Sequence, residues 1–211
     1  MINKANAILY YVHDPMCSWC WGFHKTWSKV EAILLRERKL HIEYLVGGLA
    51  PDSNDLMSDE LQSAILSYWQ RIQEHIPGTK FNYDFWKQCQ PRRSTYPSCR
   101  AVLTAKRMYP SKEKAMILGI QQAYYLNVQN PSDEPILINI AASIGLDKDL
   151  FAEQLNSGIT NKMLSEQLRM THELGARSFP SLILKIDEQV YNIPHDYNSV
   201  KTNVSAINQY L

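Results

Sequence analysis

The sequence predicts an α/β fold interrupted by a large all-helical insertion. Three observations carry that prediction. Residues 7–46 read as strand, helix, strand. Strand character then disappears from about residue 55 to residue 174. It returns as a hairpin just after Pro180. At 211 residues the chain suits one domain with an insertion, or two closely joined subdomains, and is long enough to bury a core without staples.

Each element has its own local reason. Ala7 to Val12 (AILYYV) is a short apolar run rich in β-formers and reads as a buried strand. After Pro15, apolar residues fall at Phe23, Trp27, Val30 and Leu34, a helical spacing. Arg36, Arg38 and Lys39 cluster where a helix dipole prefers positive charge. Leu40 to Val46 is a second strand, closed by Gly47-Gly48, and the unit predicts parallel pairing with a right-handed crossover.

Leu61, Ile65, Tyr68, Ile72 and Ile76 make a helical stripe ended by Pro77-Gly78. Further helices are predicted over about 95–108, 111–126, 133–145, 147–156 and 160–174. Thr95 is the expected start of the first of these and Asp133 the expected cap of the third. Ser181 to Ile186 and Gln189 to Ile193 flank Asp187-Glu188 as a hairpin, and 199–210 reads as a final helix. The domain division is 1–50 with 160–211 for the α/β part and 51–159 for the insertion.

Charge and leader signals narrow the function classes. A net charge of +1 provides no field for nucleic acid or an anionic membrane. Met1 to Asn6 has one lysine and little that is apolar, the run that follows it is short for a signal peptide, and no segment approaches a membrane span. The expected setting is cytoplasmic. There a close cysteine pair reads as catalytic or metal-binding rather than as a structural staple.

That pair is Cys17-Ser18-Trp19-Cys20, at the head of the first helix. The thiolate is the reactive species in thiol–disulfide exchange, and a free cysteine near pKa ~8.5 is mostly protonated at neutral pH. Unpaired amides and the dipole at a helix start favour the anion. Cys17 is therefore the expected nucleophile. Cys20, one turn in, is the expected resolving thiol that releases a mixed disulfide. Zinc binding is the competing reading, but it wants four ligands: Cys89 and Cys99 are ten apart, and His13 and His24 stand alone. Phe179-Pro180, taken by itself, is a proline at the first position of a strand.

The order of elements, with Asp14-Pro15-Met16-Cys17-Ser18-Trp19-Cys20-Trp21-Gly22-Phe23, resembles the DsbA family of thioredoxin-fold disulfide oxidoreductases. The signal-less branch, with its FrnE-like proteins and protein-disulfide isomerase relatives, is the most similar. Val46-Gly47-Gly48-Leu49-Ala50-Pro51, Tyr96-Pro97-Ser98-Cys99-Arg100-Ala101 and Ser178-Phe179-Pro180-Ser181 also resemble it. The resemblance implies a thioredoxin fold with a helical insertion. It also implies a cis Pro180 against the cysteine pair and a backbone near Ser178 and Phe179 that pairs with a substrate strand. Strongly oxidising members carry a histidine before the second cysteine. Here uncharged Trp19 stands there, which argues against a potential near ~−120 mV. Trp19 is instead expected to supply apolar surface for a substrate or to pack on the insertion.

The expected function is thiol–disulfide exchange with protein or peptide thiols and disulfides. Glutathione is a candidate thiol partner, and no cofactor or metal beyond the Cys17–Cys20 pair is required. Cys99, in the first turn of a helix, is a candidate accessory thiol that competes with a reading as a small buried residue. Asp14 reads as a turn-capping residue, with an influence on the thiol's proton balance as the competing reading, and Cys89 reads as core. Phe81, Tyr83, Phe85 and Trp86 read as the insertion's core rather than a substrate groove. Two other classes stay open. One is a glutathione-dependent transferase or isomerase of the kappa-class or hydroxychromene-carboxylate isomerase type, against which the intact pair argues. The other is a non-enzymatic binding protein with the insertion as its partner face.

Overall fold

A computed structural model describes residues 7–37 and 40–211. Met1 to Asn6 and the Arg38–Lys39 pair lie outside the described residues. The sheet has four strands: β1 (Ala7–His13), β2 (His41–Val46), β3 (Ser181–Ile186) and β4 (Gln189–Ile193), in the order β2-β1-β3-β4. β1 pairs in parallel with β2, Ile8 opposite His41 and His13 opposite Val46. β3 lies antiparallel on the other side of β1, and β4 antiparallel to β3. β1 is central and buried on both faces, which is why it reads as a continuous apolar run rather than an alternation. The hairpin turns at Asp187, whose φ of 52° is a left-handed value that aspartate tolerates.

Helix α1 (Ser18–Glu37) crosses from β1 to β2, burying Phe23, Trp27, Val30 and Leu34, the residues that predicted it. Between β2 and β3 the chain is helical: α2 (Asp59–His75), the single turn α3 (Phe85–Gln88), α4 (Tyr96–Met108), α5 (Glu113–Tyr125), α6 (Glu134–Ser143), α7 (Lys148–Leu155) and α8 (Gly158–Glu173). The last helix is α9 (Val200–Asn208). Ser58, Asp147, Ser157 and Ser199 cap α2, α7, α8 and α9 through their side chains.

Thr95 and Asp133 occupy the N-cap positions of α4 and α6 but make no capping bond. Each side chain has a stronger partner elsewhere. Asp133 accepts from Arg92 at 2.6 Å, and Thr95 donates to Asp14 at 2.7 Å. The insertion is organised around Trp69, fully buried among Phe81 (4.7 Å between ring centroids), Trp86 (5.0 Å), Tyr125 (5.5 Å) and Tyr124 (5.6 Å). The aromatic stretch 81–86 is thus part of this core. Cys89 is half-buried and packs against the same core, with its thiol donating to the Val128 carbonyl at 3.4 Å.

Candidate active site

The turn between β1 and α1 carries the cysteine pair. Cys17 immediately precedes the helix; its N–H donates to the Asp14 carbonyl at 3.0 Å, and its own carbonyl accepts the first helical bond, from Trp21, at 3.0 Å. Cys20 lies one turn in. The two thiols are free and unequal. Cys17 retains 6% exposure and Cys20 none. Burial, and then the neighbouring Cys17 thiol, push the Cys20 pKa well up. Cys17 is therefore the more accessible of the two sulfurs.

The segment before β3 closes over this turn. The Phe179–Pro180 bond is cis and Pro180 is buried. The Cys17 Sγ donates to the Phe179 carbonyl at 3.3 Å, so the two segments meet although 162 residues separate them. Ser178 is exposed, its carbonyl taking a bond from the Ser181 hydroxyl at 2.6 Å. The Phe179 ring packs against Gly47, where a Cβ would stand 2.1 Å from Cζ. Gly48 has a φ of +65°, and a Cβ there would meet Leu168 at 2.5 Å and Tyr96 at 2.8 Å. Only glycine fits either position. The end of β2 is further tied to α8, since Gln167 accepts from the Val46 N–H at 2.9 Å and Thr171 donates to the Val46 carbonyl at 3.3 Å.

Trp19 is half-buried on the first turn of α1. Its ring lies 5.2 Å from that of Tyr197 and 6.1 Å from that of His75, at the end of α2. It packs on the insertion while keeping exposed surface beside the pair. Tyr197 has its phenol pKa raised, chiefly by burial and then by the thiols of Cys20 and Cys17. No pattern in the sequence pointed to Tyr197, which reaches the pair from the loop between β4 and α9.

Asp14 is the other residue whose weight exceeds its sequence reading. It is fully buried, and its carboxylate accepts from Met16 N–H at 2.8 Å, Leu49 N–H at 2.7 Å and the Thr95 hydroxyl at 2.7 Å. Burial raises its pKa, while these three bonds act in the opposite direction. Cys99 also faces it, Sγ to Oδ2 3.7 Å, and is fully buried. Burial and then the Asp14 charge push the Cys99 pKa well up. The helix start does not activate Cys99, because the thiol has no solvent to face and a carboxylate as its neighbour. Tyr125 completes the brace from the insertion, its hydroxyl donating to the Met16 carbonyl at 2.8 Å.

A polar groove of about 860 Å³ lies apart from the pair, between the 52–54 loop, Arg100 and the start of α6. Its guanidiniums are already engaged, Arg100 with Asp52 at 2.7 Å and Arg92 with Asp133 at 2.6 Å. Among the described residues no three His, Cys, Asp or Glu side chains gather as a metal site, and no helix is long and apolar enough to cross a membrane.

A family model described as Thioredoxin matches residues 10–202. The ClpXP adapter protein SpxH of Halalkalibacterium halodurans is 24% identical over 196 residues, 90% of this chain. The chain spans only 62–63% of the length of the curated relatives it matches. A candidate protein disulfide isomerase from Nitrosomonas europaea superposes with a TM-score of 0.85 at 22% identity, covering 97% of each chain. The cytosolic disulfide reductase DsbM of Pseudomonas aeruginosa superposes with a TM-score of 0.75 at 22% identity, covering 96% of this chain and 97% of its own, and another DsbM structure contains GSH. At such identities the likeness establishes the fold, a DsbA-like thioredoxin fold with a helical insertion.

Proposed function

The chain belongs to the thioredoxin family, and on that premise we propose that it is a thiol–disulfide oxidoreductase working through a mixed disulfide at Cys17. The observation that carries the proposal is the placement of Cys17 at the start of α1 with its sulfur against the carbonyl that precedes cis Pro180. Cys17, as thiolate, attacks a substrate disulfide; one S–S bond breaks, one forms, and the departing sulfur takes up a proton. Cys20 loses its proton and attacks the Cys17 sulfur. That step releases the second substrate thiol and leaves a Cys17–Cys20 disulfide, which a thiol donor reduces again. The proximity of Cys20 makes the second step intramolecular, which offsets the raised pKa that disfavours its anion.

The substrates proposed are protein or peptide disulfides. Glutathione is the proposed thiol donor, by analogy with DsbM. Net reduction or isomerisation, in a cytoplasmic setting, is the proposed direction, because Trp19 offers no charge to hold a thiolate. Incubation with a peptide disulfide and glutathione tests the proposal. Cys17→Ser is expected to abolish turnover, and Cys20→Ser to accumulate the mixed disulfide, seen by mass spectrometry. Turnover that survives Cys17→Ser, or stoichiometric zinc held by Cys17 and Cys20 in the purified protein, defeats it.

The name of the curated relatives supports a second reading, an adapter that binds other proteins. A Cys17→Ser/Cys20→Ser double variant separates the two readings: an adapter keeps partner binding without the pair, and an oxidoreductase does not keep its activity.

A further inference from the structure

The geometry points to a binding site for a small aromatic ammonium ion, in a cavity between α1, α5 and the sheet that neither Cys17 nor Cys20 lines. It goes beyond the thiol–disulfide reading and does not rest on it. Trp27 and Glu31, four residues apart on α1, line the same space as Lys114, Ile117 and Gln121, which recur at intervals of three and four on α5. Tyr11 of β1 and Tyr44 of β2, directly opposite one another in the parallel pair, form its floor. The cavity between them has a volume of about 150 Å³. Apolar cavities of about 150 Å³ admit a benzene ring.

Two nearly buried side chains leave their polar ends unpaired at this cavity. The Tyr11 hydroxyl, on a residue 4% exposed, and the Gln121 amide, on one 3% exposed, make no hydrogen bond among the described residues. Polar groups withdrawn from bulk water are costly to leave unpaired, so whatever occupies the cavity has to answer them. The sign of the preferred charge comes from Glu31. Its buried carboxylate accepts the Tyr44 hydroxyl at 3.0 Å, and that hydroxyl accepts the Trp27 indole N–H at 2.8 Å. A carboxylate beside an aromatic face attracts a cation. The chain itself puts one there: Lys114 Nζ lies 2.6 Å from Glu31 Oε1 and 5.4 Å from the centroid of the Tyr44 ring. Lys114 reaches in from the first turn of α5 with a side chain 53% exposed, so it can swing into solvent. Its flexible stem leaves the cavity beside it unfilled. A ligand that brings its own ring with the ammonium fills that space against Trp27 and Ile117, and has the advantage over Lys114 for Glu31.

Benzylamine, whose ammonium stands one carbon from a benzene ring, is the probe. Titrated calorimetrically into the full chain at neutral pH, it is expected to bind at a single saturable site. Benzyl alcohol, which lacks the charge, and methylamine, which lacks the ring, are each expected to bind about tenfold more weakly or worse. Lys114→Met keeps the stem and removes the competing ammonium, and should tighten benzylamine binding by about threefold or more. Glu31→Gln removes the charge that the ligand seeks and should weaken it by about tenfold or more. The two variants move the affinity in opposite directions, so Lys114→Met carries the test if Glu31→Gln fails to fold. Absence of saturable binding to wild type leaves the cavity to water and overturns the inference. So does an affinity no tighter in Lys114→Met, or one that a folded Glu31→Gln leaves within about twofold, since either would put the ammonium elsewhere. Loss of binding in Cys17→Ser would place the probe at the cysteine pair and overturn it too, whereas a chain that binds benzylamine and exchanges no disulfide would defeat the oxidoreductase reading alone.

Discussion

His13 should make the protein acid-labile, and the size of the effect follows from its surroundings. The residue ends β1, with 1% of its surface exposed and neither ring nitrogen hydrogen-bonded. Its ring stacks on Tyr11 at 5.5 Å and meets Tyr44 edge-on at 5.8 Å. Burial, and then the charge of Lys106, lower its pKa from 6.5 to about 3. Between those values the unfolded chain binds a proton that the folded chain does not. The stability attached to His13 is therefore complete above pH 6.5 and lost as pH falls. From pH 7 to pH 5 the linkage amounts to about 2 kcal/mol. The perturbation is His13→Phe, which keeps an aromatic ring and removes the titration. Urea unfolding at the two pH values supplies the four stabilities needed. Any packing change in the variant is independent of pH and cancels, and every other histidine is common to both proteins. Wild type should lose about 2 kcal/mol more than His13→Phe between pH 7 and pH 5. Losses equal to within about 0.5 kcal/mol would refute the reasoning, because they would show that folded His13 protonates as readily as an unfolded histidine.

Two substitutions test the walls of the site and of the insertion. Gly47→Ala puts a methyl group where the Phe179 ring lies, 2.1 Å from Cζ, and should displace the carbonyl that faces Cys17. Its kcat/KM toward a peptide disulfide should fall by about tenfold or more. An unchanged value, with circular dichroism like wild type, would mean that the 178–180 segment does not position substrate. Trp69→Ala removes the central ring of the aromatic core and should cost ~3–5 kcal/mol in urea unfolding. A cost under about 1 kcal/mol would mean the insertion folds around some other centre.

What the sequence made legible, and what it did not, divides by the range over which each residue acts. β1 is recognisable from a run of apolar residues because its burial is a property of consecutive positions. The cysteine pair is recognisable for the same reason: Cys17, the helix start and Cys20 fall within four consecutive residues. Trp19 is readable as uncharged, but not as the neighbour of His75 and Tyr197, which arrive from α2 and from the loop before α9. Thr95 and Asp133 show how a local signal loses. Each stands at an N-cap position, where a side-chain cap contributes ~1 kcal/mol. Each has instead a partner of opposite character from elsewhere in the chain, and a hydrogen bond to a charged group contributes about 1.5–3 kcal/mol. The tertiary bond wins on magnitude, and no window of sequence around residue 95 contains Asp14, which lies 81 residues earlier. The candidate reacting groups are therefore locally legible, in Cys17 and Cys20. Their surroundings are not: Asp14, Thr95 and Leu49 become neighbours only when the insertion docks against the turn before α1. A chain can keep the same Cys-X-X-Cys segment and still surround it with other side chains, because those arrive from the insertion and from the loop before α9.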